Sequence, residues 1–117
     1  MLALKTILAR NERLPILVFD EIDVGISGSS ARKVGRAMYE LADSHQIVAI
    51  THLPQIASLA DRHFGVEKEV QDGRTRTVVR SLSERDRTRE VASLISGADV
   101  TEAALENARE LITASSR

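Results

Sequence analysis

Two short apolar runs that end abruptly in chemically capable residues constrain this chain more than any other feature. Leu17-Val18-Phe19 runs into Asp20-Glu21, and Ile47-Val48-Ala49-Ile50 runs into Thr51-His52. Continuous apolar runs of this length, without polar alternation, read as strands of a buried parallel sheet. In open α/β sheets ligands bind outside the carboxyl ends of the strands. The polar ends therefore mark the expected site, and the apolar runs mark what supports it.

The sequence between and around the runs completes the pattern. Gly25, Gly28 and the serines Ser27, Ser29 and Ser30 form a turn with cap-competent hydroxyls, after which Val34, Ala37, Met38 and Leu41 recur at helical spacing. A strand over 16–19 ending at Asp20, a helix over about 31–43 and a strand over 46–51 make a βαβ unit with neighbouring parallel strands. Residues 1–10 read as an amphipathic helix. Beyond His52, Pro54 stands where a first helical turn tolerates it, and Ile56, Ala57, Leu59 and Ala60 give a short helix. Segments 63–70 and 74–82 flank Asp72-Gly73, a pair suited to a tight hairpin turn. This hairpin is expected at an edge of the sheet, with Glu67, Glu69, Arg74, Arg76 and Arg80 on a solvated face that discourages further pairing. A helix over 84–96 carries Val91, Leu94 and Ile95 inward and stops at Gly97. A last helix begins near Thr101, with Val100 and Leu105 at the offsets of a hydrophobic staple.

Composition narrows the function classes. The 117 residues suffice for one domain with a modest core, and 43% hydrophobic with only 3% aromatic residues means that this core is aliphatic. A formal charge of -1 gives no global attraction to nucleic acid or anionic membrane, so any DNA contact must be local or lie outside this chain. With no cysteine, disulfides and thiolate metal sites are excluded, and a reducing cytoplasm is the simplest setting. Lys5 interrupts the apolar start, which is too short to span a bilayer, so no membrane partner is expected.

The strand ends carry the chemistry. An apolar run followed by Asp-Glu matches the Walker B element of nucleotide hydrolases, in which the Asp helps to hold magnesium, directly or through water, and the next carboxylate orients and deprotonates the attacking water. Asp20 and Glu21 fit those roles; the same pair also fits a solvated strand end or a helix cap. His52, at the end of the neighbouring strand, could reach a γ-phosphate or the attacking water. A lone His there would more often be structural, but its pairing with Asp20-Glu21 makes the functional reading hard to dismiss. His45 and His63 have no such context and are assigned to surface or packing. The small residues of Asp23-Val24-Gly25-Ile26-Ser27-Gly28 would let the backbone approach another surface closely, besides forming the turn that caps the next helix.

Phe19-Asp20-Glu21-Ile22-Asp23-Val24-Gly25-Ile26-Ser27-Gly28, Thr51-His52-Leu53-Pro54-Gln55-Ile56-Ala57 and Arg89-Glu90-Val91-Ala92-Ser93-Leu94-Ile95-Ser96-Gly97 together resemble the carboxy-terminal head segment of the RecN family, SMC-like ABC-type ATPases of bacterial DNA repair. The resemblance runs through essentially the whole chain. It implies an α/β fold: a partial P-loop NTPase lobe of ABC/SMC type, spanning residues 1–117, with a βαβ core, an edge hairpin and two carboxy-terminal helices. It implies ATP and Mg2+ as cofactors, Asp20 as the magnesium residue, Glu21 as the catalytic base and His52 as the switch histidine. Val24 to Ser27 would be the D-loop, with Gly25 and Ser27 near the nucleotide at a head–head interface. ABC proteins usually end that loop in Asp, so Ser27 favours RecN over transporters. Implied partners are an amino-terminal lobe bearing Walker A, a second head in a homodimer and DNA. The implied role is recombinational repair of double-strand breaks in the bacterial cytoplasm, at the nucleoid.

The chain contains no Gly-x-x-x-x-Gly-Lys-Ser/Thr phosphate loop, no ABC signature and no long heptad pattern. The expectation is therefore one lobe of a split head, an ATPase in the intact protein and inactive alone. It should have unpaired strand edges, exposed apolar surface and marginal stability or self-association. The alternatives are a non-catalytic, truncated interaction lobe, or a head fragment of another SMC or ABC-type ATPase.

Overall fold

Strand, helix, strand and short helix follow one another in the order that the apolar periodicity predicts, and a hairpin and two helices complete the chain. The computed structural model describes residues 15–20 and 28–115. The expected helix over 1–10 and the loop holding Glu21, Gly25 and Ser27 lie outside the described residues. The chain divides into two compact units, Met1–Leu59 and Ala60–Arg117.

In the first unit, β1 (Ile16–Asp20) and β2 (Gln46–Ile50) flank α1 (Gly28–Leu41), and α2 (Pro54–Ala57) follows. The strands pair in parallel, Ile16 opposite Gln46 through to Asp20 opposite Ile50. The backbone N–H of Gln46 donates to the Pro15 carbonyl at 2.8 Å, extending the ladder by one bond. Their inner face supplies Phe19, fully buried, which packs with Met38, Leu41 and Ile56, while Leu17, Val34, Ile47 and Leu53 close around it. This is the aliphatic core that the composition requires, built around one aromatic ring.

Helix α1 starts three residues earlier than its periodicity suggests. Gly28, Ser29 and Ser30 occupy its first turn, where N–H groups have no intrahelical partner and the usual helix cost of such residues is small. Its buried stripe is Ala31, Gly35, Met38 and Leu41, whereas Val34 and Ala37 are only half-buried. Gly35 is where α1 meets the segment after β2: a Cβ there would stand 2.6 Å from Leu59 Cδ1 and 3.4 Å from the Gln55 carbonyl oxygen. The close approach of the two helices thus depends on a missing side chain.

The outer face of the β1–β2 pair is open. Ile16, Val18 and Ile50 are each more than half exposed, and Val48 is 44% exposed. Parallel sheets are ordinarily covered on both faces, so this unit shows the exposed apolar surface expected of a partial sheet.

In the second unit, β3 (Phe64–Gln71) and β4 (Arg74–Ser81) form a hairpin, followed by α3 (Glu84–Ser96) and α4 (Glu102–Ser115). Asp72 and Gly73 both adopt positive φ, 52° and 72°, as a two-residue turn matched to strand twist demands. The expected placement of the hairpin at the edge of the βαβ sheet is corrected: among the described residues β3 and β4 pair with each other as a separate two-stranded sheet, and not with β1 or β2. Strand pairing across distant sequence is not encoded in local alternation. One hairpin face carries Glu67, Glu69, Arg76 and Arg80, with Arg80 ion-paired to Glu69. The other carries Phe64, Val66, Val70 and Val79, each more than half exposed.

The Ser83 hydroxyl oxygen accepts from the Asp86 N–H at 3.2 Å, capping α3, and Gly97, with φ 82°, ends that helix. Thr101 caps α4 by accepting from the Ala104 N–H at 3.1 Å. The buried positions are Val91 and Ala92 on α3 and Ala104 and Ala108 on α4, and the small alanines let the helix axes come close. Leu94 and Ile95, expected inside, are half-buried. Among the described residues no helix is long and apolar enough to cross a membrane.

Two predictions follow from this packing. Phe19→Ala should cost about 3–5 kcal/mol in a urea titration followed by circular dichroism. Val18→Thr, on the open face of the same strand, should stay within about 0.5 kcal/mol of the parent. The second concerns His63, whose Nδ1 is buried without a hydrogen-bond partner among the described residues and whose pKa is lowered by burial and by the nearby Arg87 guanidinium, against a smaller opposing effect of Glu90. The unfolded chain then binds a proton more readily than the folded one, so stability is full above the ordinary histidine pKa of 6.5 and falls as pH drops below it. His63→Gln should flatten the pH dependence of the urea midpoint in that acid range.

Candidate functional site

The site is built by the register of two strands. Because Asp20 pairs with Ile50, the polar end of β1 and the turn that follows β2 emerge at the same edge, with the strands about 4.8 Å apart. Asp20 closes β1 as an exposed carboxylate directly after the fully buried Phe19. The alternation of a strand makes this necessary: seating Phe19 in the core turns its successor to the other side.

His52 lies two residues beyond β2, exposed, in a turn held by side chain as well as backbone. The Thr51 hydroxyl oxygen accepts from the Leu53 N–H at 3.0 Å, and the Leu53 carbonyl accepts from Ile56 and Ala57 at 3.1 and 3.0 Å. Leu53 is extended, at φ -91° and ψ 123°, and Pro54 opens α2 with its φ already suited to a helix. The local sequence Thr-His-Leu-Pro therefore presents His52 between two fixed neighbours. The structure brings Asp20 and His52 to one sheet edge. Glu21, Gly25 and Ser27 lie outside the described residues.

One residue of this region is not evident from sequence reasoning. Gln55, in α2, has its side-chain Oε1 buried without a hydrogen-bond partner among the described residues. Its Nε2 is 3.8 Å from where a Gly28 Cβ would stand, at the first residue of α1. It therefore sits beside the first turn of α1. Its signal in the sequence is only adjacency to His52-Leu53-Pro54, which carries no chemistry of its own.

The donor set is spare. Among the described residues no group of three histidine, aspartate or glutamate side chains could hold a metal. A single exposed carboxylate is nonetheless compatible with magnesium, which is bound through one or two carboxylates together with waters and substrate phosphates rather than by an all-protein cage.

No family model matches the chain. Curated relatives do. The DNA repair protein RecN of Deinococcus radiodurans is 47% identical over 112 residues, 96% of this chain. RecN of Bacillus subtilis is 38% identical over the same length, and RecN of Haemophilus influenzae 40% over 111 residues. The chain spans about a fifth of the length of the curated relatives it matches. Among solved structures, a chain from work on ATP-driven dimerization and DNA-stimulated activation of SMC ATPases superposes with a TM-score of 0.60 at 26% identity, covering 73% of this chain and 50% of that one. The mixed α/β architecture is thus that of part of an SMC ATPase head. Over nearly all its residues, therefore, the chain is similar to the carboxy-terminal end of the RecN proteins.

Proposed function

We propose that this chain is the carboxy-terminal lobe of a RecN-like ATPase head, supplying the Walker B, D-loop and switch-histidine elements for ATP hydrolysis in a head dimer that acts in DNA repair. The observation that carries the reading is the parallel register of β1 with β2, which delivers Asp20 and the His52 turn to one edge. The open outer face of the same strands supports it further, since it is what a lobe of a larger parallel sheet would present.

In this reading Asp20 is the protein's ligand to Mg2+, directly or through water, and Glu21 orients and deprotonates the water that attacks the γ-phosphate. Magnesium bound with ATP would supply charge neutralisation at the phosphate oxygens. His52 faces the same reacting end and contributes a hydrogen bond that depends on whether the γ-phosphate is present. Gly25 and Ser27 stand at the head–head contact, where a loop without bulky side chains allows close approach. Gln55 offers its Oε1, without a partner among the described residues, as an acceptor beside the first residue of α1. The partners are the amino-terminal lobe with its Walker A phosphate loop, a second copy of the head, and DNA contacted by the assembled protein.

The second reading is a non-catalytic interaction lobe. It is favoured by one fact, that the 117 residues contain no phosphate loop.

Reconstitution separates the two. The amino-terminal lobe of a RecN relative, carrying its Walker A sequence, is mixed with this chain and magnesium-dependent ATP hydrolysis is measured. The proposal expects hydrolysis only with both lobes present. Glu21→Gln should lower kcat by about 10²–10⁴-fold while ATP still binds, and Asp20→Asn should raise the magnesium concentration required. Hydrolysis that is absent despite a demonstrated complex of the lobes would leave the non-catalytic reading.

A further inference from the structure

The two carboxy-terminal helices enclose a feature that the ATPase reading does not use. Between α3 and α4 lies a cleft of about 340 Å3, lined by Arg85, Thr88, Arg89, Leu105 and Arg109. Arg85, Thr88 and Arg89 fall at i, i+3 and i+4 of α3, hence on one face, and Leu105 and Arg109 fall at i and i+4 of α4. Packing Val91 and Ala92 of α3 and Ala104 and Ala108 of α4 inward therefore turns three guanidinium groups toward one space.

Their electrostatic state is unusual for a chain with a formal charge of only -1. Among the described residues Arg85 and Arg89 take part in no ion pair, although Glu84, Asp86 and Glu90 share their helix. Asp86 is engaged with the capping Ser83 hydroxyl, 3.0 Å away. Arg109 meets Glu102 at a loose 3.6 Å, with both side chains more than half exposed, a contact that an incoming anion displaces at little cost. The Thr88 hydroxyl donates to the Glu84 carbonyl at 3.0 Å and is not free to donate outward. The donors left for a ligand are the three guanidinium forks, whose planar geometry suits phosphate oxygens.

We propose that this cleft is a binding site for the phosphodiester backbone of DNA. The lining favours a backbone over a base or a free nucleotide, because it has no aromatic surface on which a base could stack and only Leu105 as an apolar floor. Its arginines are exposed, so the cleft opens to solvent and suits a polymer lying across it rather than an enclosed small molecule. Along α3 the two arginines are separated by about 6 Å of helix rise, enough to engage successive phosphates of one strand. Such contacts position a duplex without reading its sequence. The inference deepens the DNA-repair reading by locating a contact within it. It requires neither ATP nor the strand-end site, so either can fail alone.

The test is fluorescence anisotropy of a labelled mixed-sequence DNA duplex titrated with the 117-residue chain, without nucleotide, from low to physiological salt. The expected result is weak binding whose log–log salt slope is roughly -2 to -3, as three neutralised phosphates require. Replacing Arg85→Gln, Arg89→Gln and Arg109→Gln together should weaken binding about tenfold or more at low salt and remove most of that slope. Circular dichroism verifies the fold of this variant, since all three side chains are exposed. A control with Arg74→Gln, Arg76→Gln and Arg80→Gln removes the same charge from the hairpin and should leave binding nearly unchanged. Equal loss in the control would overturn the proposal in favour of net charge alone. Displacement of the DNA by polyglutamate at the same charge concentration, or by inorganic phosphate at low millimolar levels, would also overturn it, showing a general or small-anion site.

Discussion

The parallel pairing of β1 with β2 is the constraint on which the rest of the first unit depends. A parallel pair needs a crossover, and α1 provides it. The crossover in turn needs a face to bury, and Phe19, Leu17 and Ile47 supply that face beneath Met38 and Leu41. Once Phe19 is seated, the pleat sends Asp20 outward, and the one-to-one register with β2 sets Ile50, and hence the Thr51–Leu53 turn, beside it. A slip of one residue would invert every side chain on the strand and put Asp20 in the core. Packing and chemistry are fixed by the same register, which is why a short apolar run can specify both.

Small residues set how closely the elements approach. Gly35 admits the segment around Gln55 and Leu59 against α1, and Ala104 and Ala108 admit α4 against α3. The consequences differ in the two units. In the first, the close approach holds the turn that presents His52. In the second, it brings arginines from two helices around one cleft. The Gly65 position repeats the device on the hairpin, where a Cβ would stand 3.2 Å from Leu82 Cδ2.

Much of this was legible in the sequence, for physical reasons that can be named. Unbroken apolar runs, Asp-Gly between two alternating segments, and Ser83 and Gly97 bracketing a helix are local signals, and each corresponds to an element within a residue or two. Asp20 and His52 were legible as a pair because both end apolar runs, and parallel strands place their ends together. What depends on contacts distant in sequence was not legible. The burial of Ala31 and Gly35 in place of Val34 and Ala37 follows from where α2 lies. The hairpin's separation as its own sheet is a matter of non-local pairing, and the orphaned Gln55 oxygen and the arginine cleft exist only after helices pack. The roles proposed for Glu21, Gly25 and Ser27 rest on the family resemblance alone, since these residues lie outside the described ones.

On the proposed reading, these residues form the hydrolytic half of a nucleotide site and another lobe supplies the phosphate-binding half. Isothermal titration of magnesium-ATP into the 117-residue chain tests it most directly. A carboxylate and a histidine at two strand ends offer a polyphosphate no nest of backbone N–H groups and no phosphate-loop lysine. No measurable binding is expected up to about millimolar ATP. Saturable, magnesium-dependent binding at submillimolar concentration, lost on Asp20→Asn, would contradict it, because the chain would then contain a complete nucleotide site of its own.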